Sequence, residues 1–279
     1  MKEALLNRFS LDGRVIVITG GAGLLGRKHA EAVMEAGGVP VLLDINQAVL
    51  DGAVRQLEAD CGDKAALGLV CNITDKPAIE ACLATILHKL GRLDGLVNNA
   101  ANDPKVGPGA DDKRLTRFEN MSLDNWNADV TVGLTGAFLC AQVFGRHLAT
   151  HGGGVILNVA SDLAVIAPDQ RIYRQPGLPP EGQPVKPVTY SVVKAGLVGL
   201  TKYLATYWAE QGVRVNAVSP GGVFNGQSKD FVEKLTNLIP LGRMANKDEY
   251  KATVVYLLSD ASSYVTGINL VADGGRTCW

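Results

Sequence analysis

The chain has 279 residues, of which 47% are hydrophobic, and its 27 Lys and Arg residues against 28 Asp and Glu residues give a net charge of −1. A chain of this length buries one sizeable core, and its balanced charge lacks the basic field that non-specific nucleic-acid binding requires. Charges interrupt the apolar N-terminus and no uninterrupted apolar run approaches a membrane span, so we expect a single cytoplasmic domain over residues 1–279, with no nucleic-acid or membrane partner.

The cysteines and histidines form no pattern typical of a disulfide framework or a metal site. Five cysteines make an odd number and show no CxxC spacing, which argues against both. His147 and His151 could share one helix face, but no third ligand is evident nearby. We therefore expect no metal.

Short β-branched runs alternate with helix-length segments along the chain. In chain order, the predicted strands are 14–19, 39–44, 65–71, 93–99, 153–161, 213–219 and 267–273. The predicted helices are 26–37, 46–59, 75–90, 122–150, 188–211 and 246–259. Apolar strands separated by helices indicate a parallel sheet covered on both faces, because each right-handed crossover packs a helix back on the sheet. The expected fold class is α/β, a Rossmann-type doubly wound parallel sheet of about seven strands.

Two stretches, 102–121 and 165–187, have no regular pattern. The second contains six prolines, which exclude a regular helix or a central strand. Long loops inside a compact domain are uncommon and are often functional. We therefore expect 165–187 to be a substrate loop inserted into the domain.

The stretch "VITGGAGLLGRKHAEAV" follows a strand and opens a helix, which is the context that a dinucleotide-binding loop requires. Gly20, Gly23 and Gly26 would allow the tight turn, the close approach of a pyrophosphate and tight helix packing. Asp44 ends the next strand, where a carboxylate accepts hydrogen bonds from ribose hydroxyls and repels a ribose phosphate. NAD(H) is therefore favoured over NADP(H), although the basic residues at 27–28 could soften the preference. The alternative is a structural glycine turn with a helix-capping aspartate.

In "VTYSVVKAG", Tyr190 and Lys194 lie four residues apart, so on a helix they share one face. They could be amphipathic side chains with packed stems and solvated ends. Alternatively, the ammonium of Lys194 lowers the pKa of Tyr190, which suits an acid/base catalyst that works near neutral pH.

Six motifs occur in one order across residues 10–276. They are "TGGAGLLG" (19–26), "NNAA" (98–101), "ILNVAS" (156–161), "YSVVK" (190–194), "RVNAVSPGGV" (214–223) and "VADGG" (271–275). With this ordered set the chain resembles the single-domain branch of the short-chain dehydrogenase/reductase family. The resemblance implies that Tyr190 is the general acid/base, that Ser161 holds the substrate oxygen, and that Lys194 binds the nicotinamide ribose and lowers the tyrosine pKa. The implied activity is NAD(H)-dependent interconversion of a secondary alcohol and a ketone.

The resemblance also implies further cofactor contacts. Besides the glycine loop, Asp44 and the pair Tyr190 and Lys194, these are Leu25, Asn72, Ile73, Asn98, Ala100, Pro220, Gly221, Val223 and Asn225. Asn72 stands where the family usually has an aspartate near the adenine, and Asn225 where a threonine usually contacts the carboxamide. Local turn chemistry is the alternative for each Asn, Gly and Pro among them.

The chain departs from the family pattern at three places. Leu24 replaces the usual middle glycine, a spacing more typical of the branch that acts on nucleotide sugars. Gly133 stands where the family has a fourth catalytic residue, an asparagine, so a water held by the main chain or another polar side chain would have to replace it. Ser161 and Tyr190 are 29 residues apart (190 − 161), where the family has about a dozen. A weaker resemblance links the chain to members associated with bacterial surface-glycan or flagellin-glycan synthesis.

The sequence is also compatible with two other functions. The glycine spacing is compatible with a sugar epimerase or dehydratase that uses a transient hydride transfer. Gly133 is compatible with a cofactor-binding regulatory protein that has lost activity, since a fold does not establish a function. The family resemblance also implies a homo-oligomer, most simply a tetramer built through the helices at 122–150 and 188–211.

The expected substrate is a polar, anionic sugar such as a phosphorylated or nucleotide-linked hexose. Arginine suits phosphate because its fork makes two parallel charge-assisted hydrogen bonds. The basic candidates in the two irregular stretches are Lys105, Lys113, Arg114, Arg117, Arg171, Arg174 and Lys186. Solvated loop charges are the alternative, because nearby acidic residues offset much of this charge.

Overall fold

Seven parallel strands form one sheet in the order β3-β2-β1-β4-β5-β6-β7. The computed structural model describes residues 2–62, 65–102 and 116–279. The strands are β1 Val15–Thr19, β2 Val39–Asp44, β3 Leu67–Val70, β4 Gly95–Asn98, β5 Gly154–Val159, β6 Val213–Pro220 and β7 Asn269–Ala272. Each lies within its predicted range or one residue beyond it, so the predicted Rossmann-type α/β fold is confirmed.

The helices connect the strands and cover both faces of the sheet. They are α1 Lys2–Asn7, α2 Leu24–Glu35, α3 Gln47–Cys61, α4 Lys76–Leu90, α5 Leu123–Val130, α6 Gly136–Cys140, α7 Arg146–Thr150, α8 Val188–Tyr207, α9 Lys229–Thr236 and α10 Lys251–Leu258. Sequence reasoning missed α1 and α9, because helices of six and eight residues are too short to show a clear period. Helix α8 ends at Tyr207 rather than residue 211, since the chain turns there into β6.

Helices α5, α6 and α7 are joined by two π-helical turns, Thr131–Thr135 and Ala141–Gly145, into one helix from Leu123 to Thr150. Within the described residues, this is the one helix that by length and composition alone could cross a membrane. Phe144 and Leu148 are fully buried against the sheet, so its apolar face belongs to the protein core.

Two apolar layers cover the sheet because successive side chains of a strand point to opposite faces. Val15 and Val17 of β1 lie in the layer that contains Phe144. Ile16 and Ile18 lie in the other layer, with residues of α2, α3 and α10. Because all seven strands run parallel, their carboxyl ends meet at one edge of the sheet.

The inserted loop 165–187 contains two 3-10 turns, Gln170–Tyr173 and Pro180–Gly182, and no α-helix or strand. The side chain of Gln183 bonds to the main chain of Gln175 and Leu178 at 2.6 to 3.1 Å, which closes the tip of the loop. A third apolar cluster, Ile172, Leu235, Ile239 and Met244, packs the loop against α9 and the residues that follow it. The loop is therefore anchored to the helix that sequence reasoning missed.

Candidate active site

The glycine loop between β1 and α2 is shaped by close contacts with its own main chain. Gly20 has φ of +60°, and a Cβ there would lie 3.0 Å from the Cα of Ala100. A Cβ on Gly26 would lie 2.2 Å from the carbonyl oxygen of Gly20, and one on Gly23 would lie 3.2 Å from that oxygen. A larger residue at any of these three positions would therefore contact the main chain too closely and distort the turn. The loop fits a pyrophosphate at the start of α2, where Leu25 lies in the first turn.

Asp44 ends β2 beside this loop. Its Oδ2 accepts a hydrogen bond from the main-chain N–H of Ala22 at 3.3 Å, and its Oδ1 accepts one from Asn46 at 3.3 Å. These contacts hold the carboxylate at the carboxyl edge of the sheet. The ammonium of Lys28 forms ion pairs with Glu31 at 2.8 Å and with Asp248 at 3.1 Å, and these pairs raise the pKa of Lys28.

Asn72 and Ile73 follow β3. The Oδ1 of Asn72 accepts hydrogen bonds from the main chain and the hydroxyl of Thr74, at 3.1 and 2.8 Å. This is the local turn chemistry that the sequence left open. The side chain of Ile73 is buried in the core beside Gly136, so a cofactor contact by its side chain is not supported.

Asn98 at the end of β4 belongs to a buried polar chain. Its Nδ2 donates to Oδ1 of Asn158 at 2.8 Å, and Nδ2 of Asn158 donates to Oγ1 of Thr201 at 2.8 Å. This chain ties β4 and β5 to α8. Among the described residues, nothing donates a hydrogen bond to the buried Oδ1 of Asn98.

Sequence reasoning also missed residues that hold the glycine loop in place. The Nδ2 of Asn99 donates to the carbonyls of Thr19 and Gly20 at 3.0 and 3.2 Å. The hydroxyl of Thr19 accepts from the main-chain N–H groups of Asn99 and Ala100 at 3.0 Å each. The doubled asparagine in "NNAA" was the signal for this role, because both stand at the end of a strand.

Ser161 follows β5, and Tyr190 and Lys194 lie on α8. Lys194 is buried, and its Nζ donates to the carbonyl of Val159 at 2.7 Å. Val159 ends β5 two residues before Ser161, so this bond ties α8 to the strand that leads to the serine. The Nζ of Lys194 lies 5.8 Å from the centroid of the Tyr190 ring.

A buried ion pair stands behind Ser161. The hydroxyl of Ser161 donates to Oδ1 of Asp162 at 2.8 Å and accepts from the N–H of Leu163 at 3.2 Å. The Oδ2 of Asp162 is bound to Nη1 of Arg276 at 2.7 Å, and both side chains are buried. Sequence reasoning missed this pair, because its members lie 114 residues apart.

Gly133 lies in the first π-helical turn, opposite α8. A Cβ there would lie 2.5 Å from Cγ1 of Val193, the neighbour of Lys194. The glycine therefore lets the two helices approach closely.

A small cavity lies beside this crossing. Its volume is about 10 Å³, enough for about one water molecule. Its lining includes Asn102, Asp129, Thr189, Tyr190, Val193 and Lys194. Asp129 lies one helical turn before Gly133, and its Oδ2 accepts from the hydroxyl of Thr189 at 2.5 Å. A carboxylate therefore stands beside the residues that sequence analysis proposed for catalysis.

The segment after β6 lies close to the chain after β7. Pro220 ends β6, and a Cβ on Gly221 would lie 2.8 Å from the Cα of Asp273. Val223 forms an isolated bridge with Ala245. Asn225 is exposed, and its N–H donates to the side chain of Gln227 at 2.7 Å.

The basic residues of the insertion have different surroundings. Arg171 binds Asp169 through two nitrogens at 2.7 and 2.8 Å, which lowers the pKa of Asp169 to about 2. The Arg171 side chain is 74% exposed, so this pair offers no unpaired cation to a substrate. Arg174 is also exposed. Lys186 instead lies over the ring of Tyr190, with its Nζ 3.8 Å from the centroid.

The other irregular stretch is only partly described. Arg117 donates to the carbonyl of Pro180 at 2.9 Å and pairs with Glu119 at 3.0 Å. Arg117 therefore connects the first irregular stretch to the insertion 165–187. Three further basic candidates lie outside the described residues: Lys105, Lys113 and Arg114.

In the described parts of the chain, no group of three or more His, Cys, Asp or Glu residues is arranged to hold a metal ion. His147 and His151 stack on each other, with ring centroids 4.0 Å apart. The five cysteines are free thiols.

Comparisons with known proteins cover nearly the whole chain. The model of the short chain dehydrogenase family matches residues 14–173, and a model described as enoyl-(acyl carrier protein) reductase matches residues 181–277. The chain is 34% identical to D-threitol dehydrogenase of Mycolicibacterium smegmatis over 277 residues, covering 96% of this chain and 95% of that protein. It is 34% identical to NAD-dependent glycerol dehydrogenase of Listeria innocua, covering 96% of each.

A solved structure gives the same result. It is a gluconate 5-dehydrogenase from Burkholderia cenocepacia in complex with NADP and tartrate, which matches with a TM-score of 0.83 and 27% identity. The match covers 98% of this chain and 99% of that one. Family models, full-length relatives and fold agree, and the chain therefore belongs to the short-chain dehydrogenase/reductase family of oxidoreductases acting on alcohols.

Proposed function

We propose that this protein is a NAD(H)-dependent dehydrogenase that interconverts a secondary alcohol and a ketone on a polyhydroxylated, sugar-like substrate in the cytoplasm. The observation that carries the proposal is the arrangement of Tyr190 and Lys194 on α8, which the bond from Lys194 to Val159 at 2.7 Å ties to the strand that leads to Ser161. The polyol dehydrogenases among the relatives support the substrate class.

In the direction of alcohol oxidation, Tyr190 as phenolate accepts the proton of the substrate hydroxyl. A bound nicotinamide would supply the acceptor for the hydride from the carbon that carries this hydroxyl, so that the alcohol becomes a ketone. Ser161 turns its hydroxyl from Asp162 to the substrate oxygen, while Asp162 keeps its bonds to Leu163 and Arg276. Lys194 positions the ribose and favours the phenolate.

The cavity beside Gly133 supports a route for the proton. A water in it would lie among Tyr190, Lys194 and Asp129. Asp129 then takes the place of the missing asparagine, since its carboxylate accepts the hydrogen bond that orients such a water. The proton passes from Tyr190 towards solvent through this site.

The expectation of an anionic substrate is kept as a second candidate. The gluconate dehydrogenase among the similar structures favours it, since gluconate is a sugar acid. Arg171 is paired with Asp169, which disfavours binding of an anionic substrate by Arg171 and Arg174. A neutral polyol is therefore the first candidate.

The test measures net NADH formation on a panel of neutral polyols, sugar acids and sugar phosphates. Tyr190→Phe should lower turnover by about 100- to 10,000-fold while NAD(H) affinity stays within a few-fold, because only the ionisable oxygen is lost. Ser191→Ala on the next position of α8 serves as a matched control. Activity of the phenylalanine variant near that of wild type would exclude Tyr190 as acid/base, and product epimers without net NADH would support the epimerase alternative.

A further inference from the structure

The inserted loop brings a second lysine to the proposed catalytic tyrosine. The Nζ of Lys186 lies 3.8 Å from the centroid of the Tyr190 ring, closer than the Nζ of Lys194 at 5.8 Å. We propose that the insertion 165–187 serves catalysis by holding the ammonium of Lys186 over Tyr190, where its charge favours the phenolate. The inference rests on the proposed role of Tyr190 and adds to it a positioning residue from the loop.

The position of Lys186 is set by its main chain. Its N–H donates to Oε1 of Gln170 at 2.8 Å, and its carbonyl accepts from Nε2 of Gln170 at 3.3 Å. The first 3-10 turn of the loop is buried against α9 through Ile172. On its other side, Pro187 is the N-cap residue of α8, three residues before the tyrosine. The lysine is therefore fixed between an anchored loop and the helix of Tyr190.

An ammonium over an aromatic face is attracted by the ring, and the attraction grows when the ring becomes an anion. Ionisation of Tyr190 is thus easier with Lys186 present than with a neutral side chain. Lys194 acts from within the same helix as Tyr190, and its Nζ also donates a hydrogen bond to the carbonyl of Val159. Two cations from separate elements therefore act on one phenol.

The other charges that the described residues place around Tyr190 make this second cation useful. Asp129 on α5 lines the same cavity as Tyr190, and its carboxylate opposes ionisation of the phenol. Asp162, in the 3-10 turn that contacts α8, is paired with Arg276 and so contributes little net charge. Lys186 offsets the carboxylate that stands near the family's asparagine position.

The experiment compares Lys186→Met, which keeps the length but removes the charge, with Lys186→Arg, which keeps the charge. The pH dependence of kcat/KM for alcohol oxidation reports the ionisation of the free enzyme's base. In Lys186→Met the rising limb should move up by ~1 pH unit, with activity at pH 7 reduced up to about tenfold. Lys186→Arg should keep the wild-type limb. Lys202→Met, an exposed lysine on α8 about 18 Å along the axis, controls for the loss of one charge.

A second measurement does not depend on turnover. Ultraviolet difference titration, with Tyr190→Phe subtracted, follows the phenolate of Tyr190 directly and should show the same shift. Both Lys186 variants should keep their thermal unfolding midpoint, because the bonds to Gln170 are made by the main chain.

An unmoved limb and an unmoved titration in Lys186→Met overturn the inference. A raised KM at every pH, without a shift, also overturns it and makes Lys186 a substrate-binding residue. Failure of the proposed function is separate, since it would appear as activity retained by Tyr190→Phe.

Discussion

Asp44 is the residue on which the proposed cofactor preference depends. Its carboxylate stands beside the glycine loop, where a phosphate on the ribose would meet a like charge. Asp44→Ala should therefore raise the ratio of NADP(H) to NAD(H) efficiency about tenfold or more, measured as kcat/KM with each cofactor. Asp51→Ala, on the exposed part of α3, is the matched control. The relatives include both NAD-dependent and NADP-dependent dehydrogenases. A wild-type preference for NADP(H) would contradict the interpretation.

His29 on α2 is a buried imidazole whose nitrogens have no hydrogen-bond partner in the described structure. Burial lowers its pKa to about 4, below the ordinary value of 6.5. The folded state therefore holds the imidazole neutral. Above pH 6.5 the unfolded state also leaves it neutral, so His29 does not lower the free energy of unfolding there. Stability falls as pH drops below 6.5 and levels off near pH 4, a loss on the order of 3 kcal/mol.

His29→Leu should remove this pH dependence, because leucine takes up no proton and loses no hydrogen bond. Urea unfolding at pH 7 and pH 4.5 measures the difference in the free energy of unfolding. The exposed His88→Leu is the control and should keep the wild-type difference. An unchanged difference in the His29 variant would show that other groups dominate acid unfolding.

At the scale of elements, Gly133 decides how closely the π-helical turn approaches α8. Gly133→Ala should cost about 1–3 kcal/mol in the free energy of unfolding, because its Cβ would lie 2.5 Å from Val193. Activity should fall as well, since Val193 adjoins Lys194. Gly133→Asn should be worse still, because the asparagine side chain is larger than that of alanine.

The double variant Gly133→Ala with Val193→Ala tests the cause, since the smaller side chain relieves the contact and should recover part of the loss. Gly199→Ala is the control on α8, where among the described atoms a Cβ meets nothing within 4 Å. Alanine there should be neutral or stabilise by up to ~1 kcal/mol. Equal effects at both glycines would contradict the packing interpretation.

At the scale of the whole molecule, we propose a single domain over residues 1–279 that assembles as a homo-oligomer, most simply a tetramer. Large apolar side chains stay exposed on α6 and α8, including Phe138, Val192, Tyr203 and Tyr207. Contiguous exposed apolar surface is uncommon on monomers. Tyr203 and Tyr207 stack with ring centroids 5.6 Å apart, which makes a flat apolar surface.

Sedimentation at micromolar concentration should therefore show a species larger than the monomer. Replacing Tyr203 and Tyr207 with Glu should shift the protein to smaller species, because it places charge in the contact. Tyr264→Glu, at a fully exposed tyrosine that belongs to neither helix, should leave the assembly unchanged. A wild-type monomer would contradict the proposal.

The sequence alone determined the fold class, because the signals for it are local. The strands at 14–19 and 39–44 were predicted from short apolar runs, and they pair in parallel as the alternation with helices required. The glycine loop and the spacing of Tyr190 and Lys194 were likewise visible, since each lies within one turn or one helix. The ordered motifs indicated the family that the comparisons confirm.

Only the tertiary structure decided the contacts between distant segments. The pairing of Asp162 with Arg276 and the contact of Gly133 with Val193 depend on how the sheet and helices cross. The position of Lys186 over Tyr190 depends on a proline-rich loop whose path is set by its packing against α9. Periodicity specifies which face of an element is buried, but not which residue of another element meets it, because that choice comes from the packing of the whole chain.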